Sequence, residues 1–356
     1  MAHAGAGATR MSIDQTIATL LERVFDGERL TSQEAQGVMG RLMDGDLSQL
    51  QAAALLAALR TRGETVDEIV GFARAMRERS VTVQVRSAEA LVDTCGTGGT
   101  GVSTINVSTT AAFVAAAGGA RVAKHGNRGV TKRSGSADLL EALGVRIALP
   151  AEAVAEAIDS FGIGFLFART HHPAMRFVAP IRADLGARTI FNNLGPLTNP
   201  AGATRHLLGV FDAALTVPLA EVLRGLGLER ALVVHGDGLD DLAVSGPSVV
   251  TELFPDGRLE TRHVTPESLG VRRASRDAIL GGDPSTNAAA ARDVLAGRDV
   301  GPRRDVVALA AGAALYLAGR APDVHAGVMQ ALELLAAGAG LELLERYAAY
   351  TRAMAP

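Results

Sequence analysis

The sequence predicts an α/β protein, in which a small all-helical amino-terminal domain precedes a large domain with a mainly parallel sheet flanked by helices. Helix signals without strand-like alternation fill residues 11 to about 80. From about residue 90, short apolar runs alternate with helical stretches, and glycines and polar residues follow the runs. This pattern is typical of buried parallel strands. From about residue 286 to 354 the helical pattern returns.

The amino-terminal helices are predicted from their start signals. Residues 12–15, 31–34 and 65–68 each fit a capping box that opens a periodic apolar stretch, and residues 47–59 are rich in Ala and Leu. We therefore expect a disordered tail at residues 1–10 and a helical domain at 11–85. The α/β domain then covers residues 86–356. Its first strands are expected in the runs AEALVD, ARVAK, IGFLF, HLLGVF and ALVVHG.

The composition limits the class of protein. A chain of 356 residues with 48% hydrophobic residues can bury a sizeable core, which excludes intrinsic disorder. The net charge of −3 gives no chain-wide attraction to nucleic acid. The longest near-apolar run, residues 306–319, is shorter than the roughly 20 residues that cross a bilayer. The single cysteine, Cys95, excludes a disulfide framework and a Cys-based zinc site, and it fits a reducing cytoplasm.

A glycine-rich loop follows the first expected strand, in ALVDTCGTGGTGVSTINVSTT at residues 90–110. Its glycines permit positive φ and a close approach of backbone N–H groups to an anion, and the following helix N-terminus favours negative charge. The spacing resembles a dinucleotide fingerprint, but the next strand ends without the required acid, and no Gly-Lys-Ser/Thr closes the loop. Phosphate or pyrophosphate is the expected ligand. The alternative is a tight turn with a hydroxyl-rich helix cap.

A second candidate anion site is the basic segment at residues 124–138. It contains both lysines of the chain, Lys124 and Lys132, together with two arginines, three hydroxyl residues after Gly129 and three glycines. Two neighbouring anion sites indicate a ligand with two phosphate groups. Five of the six asparagines also fall in three short motifs, at Asn106, Asn127, Asn192, Asn193 and Asn199. His125 could instead be a histidine of the core.

Eight motifs in order resemble the anthranilate phosphoribosyltransferase family, and they cover most of the chain. They are DTCGTGG at residues 93–99, NVST at 106–109, KHGNR at 124–128, SGSADLLEALG at 134–144, HPAM at 172–175, VAPIR at 178–182, LGPLTNP at 194–200 and VHGDGLDD at 234–241. The resemblance implies transfer of phosphoribose from phosphoribosyl pyrophosphate to the amine of anthranilate, with Mg²⁺. It also implies that the helical domain, with a contribution from about 175–203, forms a homodimer surface.

The resemblance assigns site residues motif by motif. Those expected to contact phosphoribosyl pyrophosphate are Gly96, Gly99, Thr100, Thr104, Asn106, Val107, Ser108, Thr109, Lys124, His125, Gly126, Asn127, Arg128, Gly129, Val130, Thr131, Lys132 and Ser136. Those expected to contact anthranilate are Gly96, His125, Asn127 and Arg182. Those expected to hold Mg²⁺ are Ser108, Asp240 and Asp241. No catalytic nucleophile is assigned, but Lys124 and Arg128 are expected to stabilise charge.

The chemistry of the reaction agrees with these residue types. Displacement at an anomeric carbon passes through an oxocarbenium-like state, so the leaving pyrophosphate needs cations rather than a covalent nucleophile. The Asp240-Asp241 pair supplies the oxygen ligands that Mg²⁺ prefers, and Arg182 offers a fork to a carboxylate. The alternatives are a solvated acidic turn for the pair and a surface ion pair with Asp184 for Arg182. The adjacent His171 and His172 are expected in a loop.

Four positions depart from the family pattern: Thr100 and Asp241 replace a usual Asp and Glu, Lys132 with Arg133 adds charge, and Asn193 replaces an apolar residue. These departures leave open a paralogue for another aromatic amine. A nucleoside phosphorylase and a catalytically silent binding protein are further alternatives. We expect a cytoplasmic protein whose partners are its two small-molecule substrates and a second copy of the chain, with no nucleic-acid or membrane partner.

Overall fold

A computed structural model describes residues 16–87, 89–129 and 133–354. The predictions for residues 1–10, the capping signal at 12–15 and the site residues Val130, Thr131 and Lys132 lie outside these ranges. The described α-helices are α1 Ile17–Phe25, α2 Ser32–Asp44, α3 Gln49–Arg62, α4 Val66–Glu78, α5 Val107–Ala117, α6 Ser136–Ala142, α7 Ala151–Phe161, α8 Ala168–His171, α9 Ala179–Leu185, α10 Phe191–Leu194, α11 Thr216–Gly225, α12 Pro284–Leu295, α13 Pro302–Leu317, α14 Val324–Ala336 and α15 Ala339–Ala353. The strands are β1 Leu91–Gly96, β2 Arg121–Gly126, β3 Ile163–Phe167, β4 Arg205–Gly209, β5 Arg230–Gly236, β6 Ser248–Leu253 and β7 Leu259–Val264.

Helices α1–α4 begin at side-chain caps, as the sequence predicts for α2 and α4. At the start of α2 the Glu34 N–H donates to Thr31 Oγ1 at 3.3 Å, and the Thr31 N–H donates to Glu34 Oε2 at 2.9 Å. The same reciprocal box opens α4 at Thr65. Two of the four backbone N–H groups left open at a helix start are satisfied in this way. Helix α3 has a third box, at Ser48, which the sequence analysis did not identify.

The apolar faces of α1–α4 share one core with a later part of the chain. Val178, Ile181, Phe191 and Leu194 are buried in this core, and α4 also packs against α11. The segment from α9 to α10 therefore packs on the helical side of the molecule, although it lies between two strands in the sequence. Burial of apolar surface holds it there.

The seven strands form one sheet in the order β3-β2-β1-β4-β5-β6-β7. Strands β1–β5 are parallel, which confirms the predicted α/β class with a mainly parallel sheet. Strands β6 and β7 were not predicted. They pair antiparallel with β5 and with each other. Strand β7 is only partly buried because it is an edge strand, so its sequence, LETRHV, lacks the apolar run of a central strand.

The sheet topology places the carboxyl end of β1 at a crevice. The chain continues from β1 to β2 and β3 on one side of the sheet, and it adds β4 and β5 on the other side. In open α/β sheets, ligands bind where the strand order reverses in this way. Gly96 is in register with Gly209, so the loops after β1 and β4 begin beside each other.

The carboxyl-terminal helices cover one face of the sheet. Helix α13 is buried along nearly its whole length and packs against α5 and α14. In the part of the chain that the structure describes, no single helix has the length and apolar character needed to cross a bilayer. Helices α14 and α15, bent by 69° at their junction, meet these criteria only as a pair, by length and composition.

Glu68 provides a test of how the helical core is held together. Its side chain is fully buried, pairs with Arg62 at 2.6 Å and accepts the backbone N–H groups of Leu30 and Thr65, each at 2.8 Å. We expect Glu68→Ala to lower the free energy of unfolding by about 3 kcal/mol, because the partly buried Arg62 guanidinium loses its carboxylate and two N–H groups lose their acceptor. Urea unfolding measures the change, and Glu28→Ala, at an exposed ion pair, is the control.

This effect should depend on pH. Burial alone would raise the pKa of Glu68, but hydrogen bonds from Arg62, Leu30 and Thr65 outweigh it and hold the pKa below its ordinary value. A lowered pKa contributes stability above the pKa of the unfolded state, and that contribution disappears as the pH falls through the pKa of the folded state. The difference between wild type and Glu68→Ala should therefore shrink in acid. A difference that grows in acid would contradict this assignment.

Candidate active site

The glycine loop after β1 is held from two sides. Gly98, Gly99 and Gly101 have positive φ values of 63°, 85° and 73°, which glycine adopts without strain. The Thr97 N–H donates to the Gly209 carbonyl at 2.8 Å, and the Gly98 N–H donates to Asp240 Oδ2 at 2.9 Å. The loop is thereby fixed to the ends of β4 and β5.

Asn106 joins the two segments that the sequence predicts to bind phosphate. It occupies the N-cap position of α5 without capping it. Its Nδ2 donates to the Ser134 carbonyl at 3.0 Å, and its Oδ1 accepts from Ser134 Oγ at 3.1 Å and from Asn287 Nδ2 at 2.8 Å. The start of α5 and the end of the basic segment therefore lie side by side at the same edge of the sheet.

The side chain of Lys124, the first residue of the basic segment, is buried between β1 and the start of α5 rather than exposed at the surface. Only 3% of the residue is exposed, and its ammonium donates to the Thr94 carbonyl and to Ser108 Oγ, the latter at 3.4 Å. Burial lowers the pKa of Lys124, and the nearby Cys95, Asp93 and Asp241 partly oppose this shift. The ammonium therefore links Ser108 electrostatically to the acidic loop after β5.

The acidic loop itself approaches the glycine loop. Asp240 is 7% exposed, so it is not the solvated acidic residue of the alternative interpretation. A Cβ at Gly96 would lie 2.7 Å from Asp240 Oδ2, and a Cβ at Gly209 would collide with the backbone of Asp240. Glycine is required at both positions because the loop packs this closely. Asp240 thus lies against the glycine loop, whereas Ser108 Oγ and Asp241 both interact with the Lys124 ammonium. Their oxygen atoms are of the type that Mg²⁺ prefers.

Asp93 supports the site from below, and the sequence analysis did not assign it a role. Its carboxylate is fully buried and accepts the His125 N–H at 3.1 Å and Asn199 Nδ2 at 2.7 Å. Its ligand atoms, with those of Cys95 and His206, lie within 4.8 Å of one another and form the one metal-type cluster among the described residues. Cys95 Sγ is 3.4 Å from His206 Nε2. The sequence did carry a signal for this role, because Asp93 is an acidic residue within the apolar run of an expected strand.

His125 is both buried and part of the site, so the two interpretations of this residue are compatible. Its Nδ1 is 3.0 Å from the Gly195 carbonyl, and its ring centroid is 5.1 Å from that of His172. Burial is the main cause that holds the pKa of His125 well below its usual value, and the neighbouring His172 and His171 lower it further. The expectation of a loop is correct for His172, which lies between α8 and the 3-10 helix that begins at Pro173, and it was wrong for His171. His171 ends helix α8, and both side chains are buried, which lowers the pKa of His172 to about 4.

Several cationic and N–H groups of the basic segment are paired with carboxylates of the same chain. The Arg128 guanidinium contacts Glu141 at 2.6 Å and Asp138 at 3.1 Å, so carboxylates balance its charge in this conformation. The N–H groups of Gly129 and Gly135 both donate to Asp138 Oδ2, at 2.8 and 2.9 Å. Charge stabilisation by Arg128 therefore requires the guanidinium to leave these carboxylates.

Arg182 lies on α9, apart from the phosphate segments in sequence. Its Cζ is 5.6 Å from the centroid of the Phe191 ring, and burial lowers its pKa. Within the described residues, Arg182 forms no ion pair with Asp184, which excludes the surface-pair alternative for this conformation. A partly buried guanidinium without a carboxylate partner favours binding of an anion.

Comparisons with known proteins show the family to which the chain belongs. The model described as "Glycosyl transferase family, helical bundle domain" matches residues 18–80, and that described as "Glycosyl transferase family, a/b domain" matches residues 88–341. The anthranilate phosphoribosyltransferase of Rubrobacter xylanophilus is 54% identical over 336 residues, which are 94% of this chain and 97% of the relative. That of Deinococcus radiodurans is 52% identical over 330 residues, 93% of this chain and 97% of the relative.

Solved structures show the same fold. The crystal structure of anthranilate phosphoribosyltransferase from Thermus thermophilus has a TM-score of 0.89 and 52% identity, with 94% of this chain and 99% of that chain covered. The Saccharomyces cerevisiae enzyme, in complex with phosphoribosyl pyrophosphate and Mg, has a TM-score of 0.87 at 24% identity, with 95% and 98% covered. At that identity the likeness concerns the fold alone.

Asn199 tests the support beneath the site. It donates to Asp93 and to the Ala123 carbonyl, at 2.7 and 2.8 Å, and it accepts the Ala201 N–H at 2.9 Å. We expect Asn199→Ala to lower the free energy of unfolding by about 2 kcal/mol, because these buried groups lose their partner. Asn127→Ala is the matched control, since Asn127 is exposed and its side chain accepts one N–H, from Arg128. Equal shifts of the urea midpoint in the two variants would argue against the supporting role.

Proposed function

Because the chain belongs to the glycosyl transferase family that includes the anthranilate phosphoribosyltransferases, we propose that its own site transfers the 5-phosphoribosyl group of phosphoribosyl pyrophosphate to the amine of anthranilate. The products are N-(5-phosphoribosyl)anthranilate and pyrophosphate, and the reaction is a step of tryptophan biosynthesis. Relatives about half identical over nine-tenths of the chain bear this activity as their name. The observation that carries the proposal for the site is the Asn106–Ser134 contact, which joins the two segments that we assign to phosphate.

We assign the activated sugar to the glycine loop, the start of α5 and the basic segment. The positive-φ glycines and the helix N-terminus suit phosphate oxygens. Ser108, Asp240 and Asp241 fit a magnesium site because they provide a hydroxyl and two carboxylates: Ser108 and Asp241 interact with the buried Lys124, and Asp240 contacts the glycine loop. When bound there, Mg²⁺ would supply positive charge to the pyrophosphate. The ammonium of Lys124 would support the same charge from beneath.

We assign the acceptor to the side of the site formed by Arg182, His125, Asn127 and Gly96. Arg182 is suited to the carboxylate of anthranilate. Burial holds the pKa of His125 well below its usual value, which disfavours a positive charge that would compete with Arg182 for that carboxylate. The aromatic ring would then lie among Phe191 and the buried histidines, with its amine directed to the sugar.

The reaction requires the chain to position two ligands rather than to form a covalent bond. The amine nitrogen forms a bond to the anomeric carbon, the bond from that carbon to the pyrophosphate oxygen breaks, and the amine loses a proton. Backbone N–H groups of the glycine loop hold the departing anion, and Arg182 orients the nucleophile. The two assignments place the reacting groups at the boundary between the sheet and the helical side of the molecule.

The remaining features of the proposal concern organisation. We propose a tail at 1–10, a helical domain at 11–85 and an α/β domain at 86–356. Homodimerisation through the helical domain is supported by the exposed Leu50, at 84%, and Phe25, at 52%. A cytoplasmic location and the lack of nucleic-acid or membrane partners remain predictions from the composition.

A second candidate acceptor is a substituted aminobenzoate with an additional donor group. Asn193 Oδ1 is buried and has no hydrogen-bond partner in the described structure, and it lies in α10 close to Phe191. A ligand donor would satisfy this oxygen. A panel of aminobenzoates decides between the two acceptors: a value of kcat/KM that is highest for anthranilate rejects the second candidate.

The principal test is consumption of anthranilate, followed by its fluorescence. We expect the signal to fall only when phosphoribosyl pyrophosphate and Mg²⁺ are both present, and Asp241→Asn should raise the Mg²⁺ concentration needed for half-maximal rate. Unchanged fluorescence with the purified wild type would refute the proposal. Release of base from a nucleoside in phosphate buffer would instead identify a phosphorylase.

Arg182 tests the acceptor site separately. We expect Arg182→Ala to raise the KM for anthranilate about tenfold to a hundredfold, because a charge-assisted contact of roughly 1.5–3 kcal/mol is lost. The KM for phosphoribosyl pyrophosphate should change little. Arg169→Ala, at an exposed arginine of α8, is the control. If only the KM for phosphoribosyl pyrophosphate rose, the assignment of Arg182 would be wrong.

A further inference from the structure

Arg188, in the connection between α9 and α10, extends over the glycine loop. Its Cζ lies 4.1 Å from the centroid of the Phe211 ring. A Cβ at Gly99 would collide with the Arg188 guanidinium, so the loop backbone and the guanidinium are in close contact. Phe211 is itself fixed to the loop, because its N–H donates to Thr97 Oγ1 at 3.2 Å. The guanidinium is thus held between an aromatic ring and the loop that we assign to phosphate.

The charge of Arg188 is incompletely balanced at this place. Its Nη2 is buried and has no hydrogen-bond partner among the described residues. Residues 96–102 of the loop contain no carboxylate. Burial lowers the pKa of Arg188, and Arg60 lowers it further, while Asp240 opposes the shift. The positive charge of Arg60 thus acts on Arg188, and a buried donor without a partner is costly unless a ligand satisfies it.

We propose that Arg188 is a substrate-binding residue that clamps the pyrophosphate group of phosphoribosyl pyrophosphate against the glycine loop. The planar guanidinium can give two parallel hydrogen bonds to a phosphate, and the Phe211 ring restricts its orientation. This inference rests on the proposed function, since it names the part of the substrate that Arg188 binds.

The contact between Arg188 and the glycine loop joins two parts of the fold. The adjacent Ile190 and Phe191 are buried in the core that contains α1–α4, whereas the glycine loop continues a strand of the sheet. A pyrophosphate held by both would connect this core to the glycine loop. Binding of phosphoribosyl pyrophosphate would therefore order the boundary at which the acceptor is expected to bind.

The first experiment compares Arg188→Gln with wild type in steady-state kinetics. We expect the KM for phosphoribosyl pyrophosphate to rise about tenfold to a hundredfold, with a smaller rise in Arg188→Lys and little change in the KM for anthranilate. The control is Arg176→Gln, because Arg176 is exposed and stacks on Phe177 at 4.7 Å, away from the loop. A lower thermal midpoint with an unchanged KM would mean a structural role only, and it would overturn the proposal.

The second experiment measures binding without turnover, by calorimetric titration with inorganic pyrophosphate and Mg²⁺. Arg188→Gln should lose affinity by a factor similar to the rise in KM, and Phe211→Leu should lose less. Unchanged affinity in Arg188→Gln would overturn the clamp even if wild type consumes anthranilate, and the proposed function would then stand. Lost affinity in a protein that does not consume anthranilate would support the clamp and reject the acceptor.

Discussion

The buried carboxylate of Asp93 is the constraint on which the candidate site depends. It lies in β1 and binds the His125 N–H of β2 and the side chain of Asn199, which also binds the Ala123 carbonyl. A carboxylate without such donors would be expensive to bury. The bonds therefore fix the relative position of two strands and of the segment that returns from the helical side.

The same carboxylate determines the charge beneath the phosphate segments. Asp93 and Asp241 both favour the charged form of Lys124, which burial disfavours. A buried ammonium balanced by two carboxylates leaves little net positive charge for a ligand with two phosphate groups. Arg128 is balanced by Glu141 and Asp138 as well. In this conformation, stabilisation of the proposed ligand would therefore depend on backbone N–H groups, on Arg188 and on added Mg²⁺ as well as on Lys124.

The sequence predicted the parts of this site that depend on local chemistry. The glycine loop and the parallel strands were accessible because positive φ and continuous apolar runs are properties of a few adjacent residues. The partners of Arg128 were not accessible, because Glu141 approaches it only when α6 packs beside the segment. Burial of His171 and the contact of Arg188 with Gly99 also depend on tertiary structure, and no short motif encodes them.

The phosphate side and the acceptor side of the proposed site come from different parts of the fold, and this has a chemical consequence. The glycine loop belongs to the sheet, whereas Arg182 and Asn193 belong to a segment packed with α1–α4. Phosphoribosyl pyrophosphate carries a leaving group that water can also displace, so exclusion of water matters as much as stabilisation of charge. A site built from both segments can hold the activated sugar on one side and the acceptor on the other, which leaves little room for water between them. The neutral, buried His125 and His172 suit this boundary, because uncharged imidazoles lose less hydration than charged ones when the boundary becomes dry.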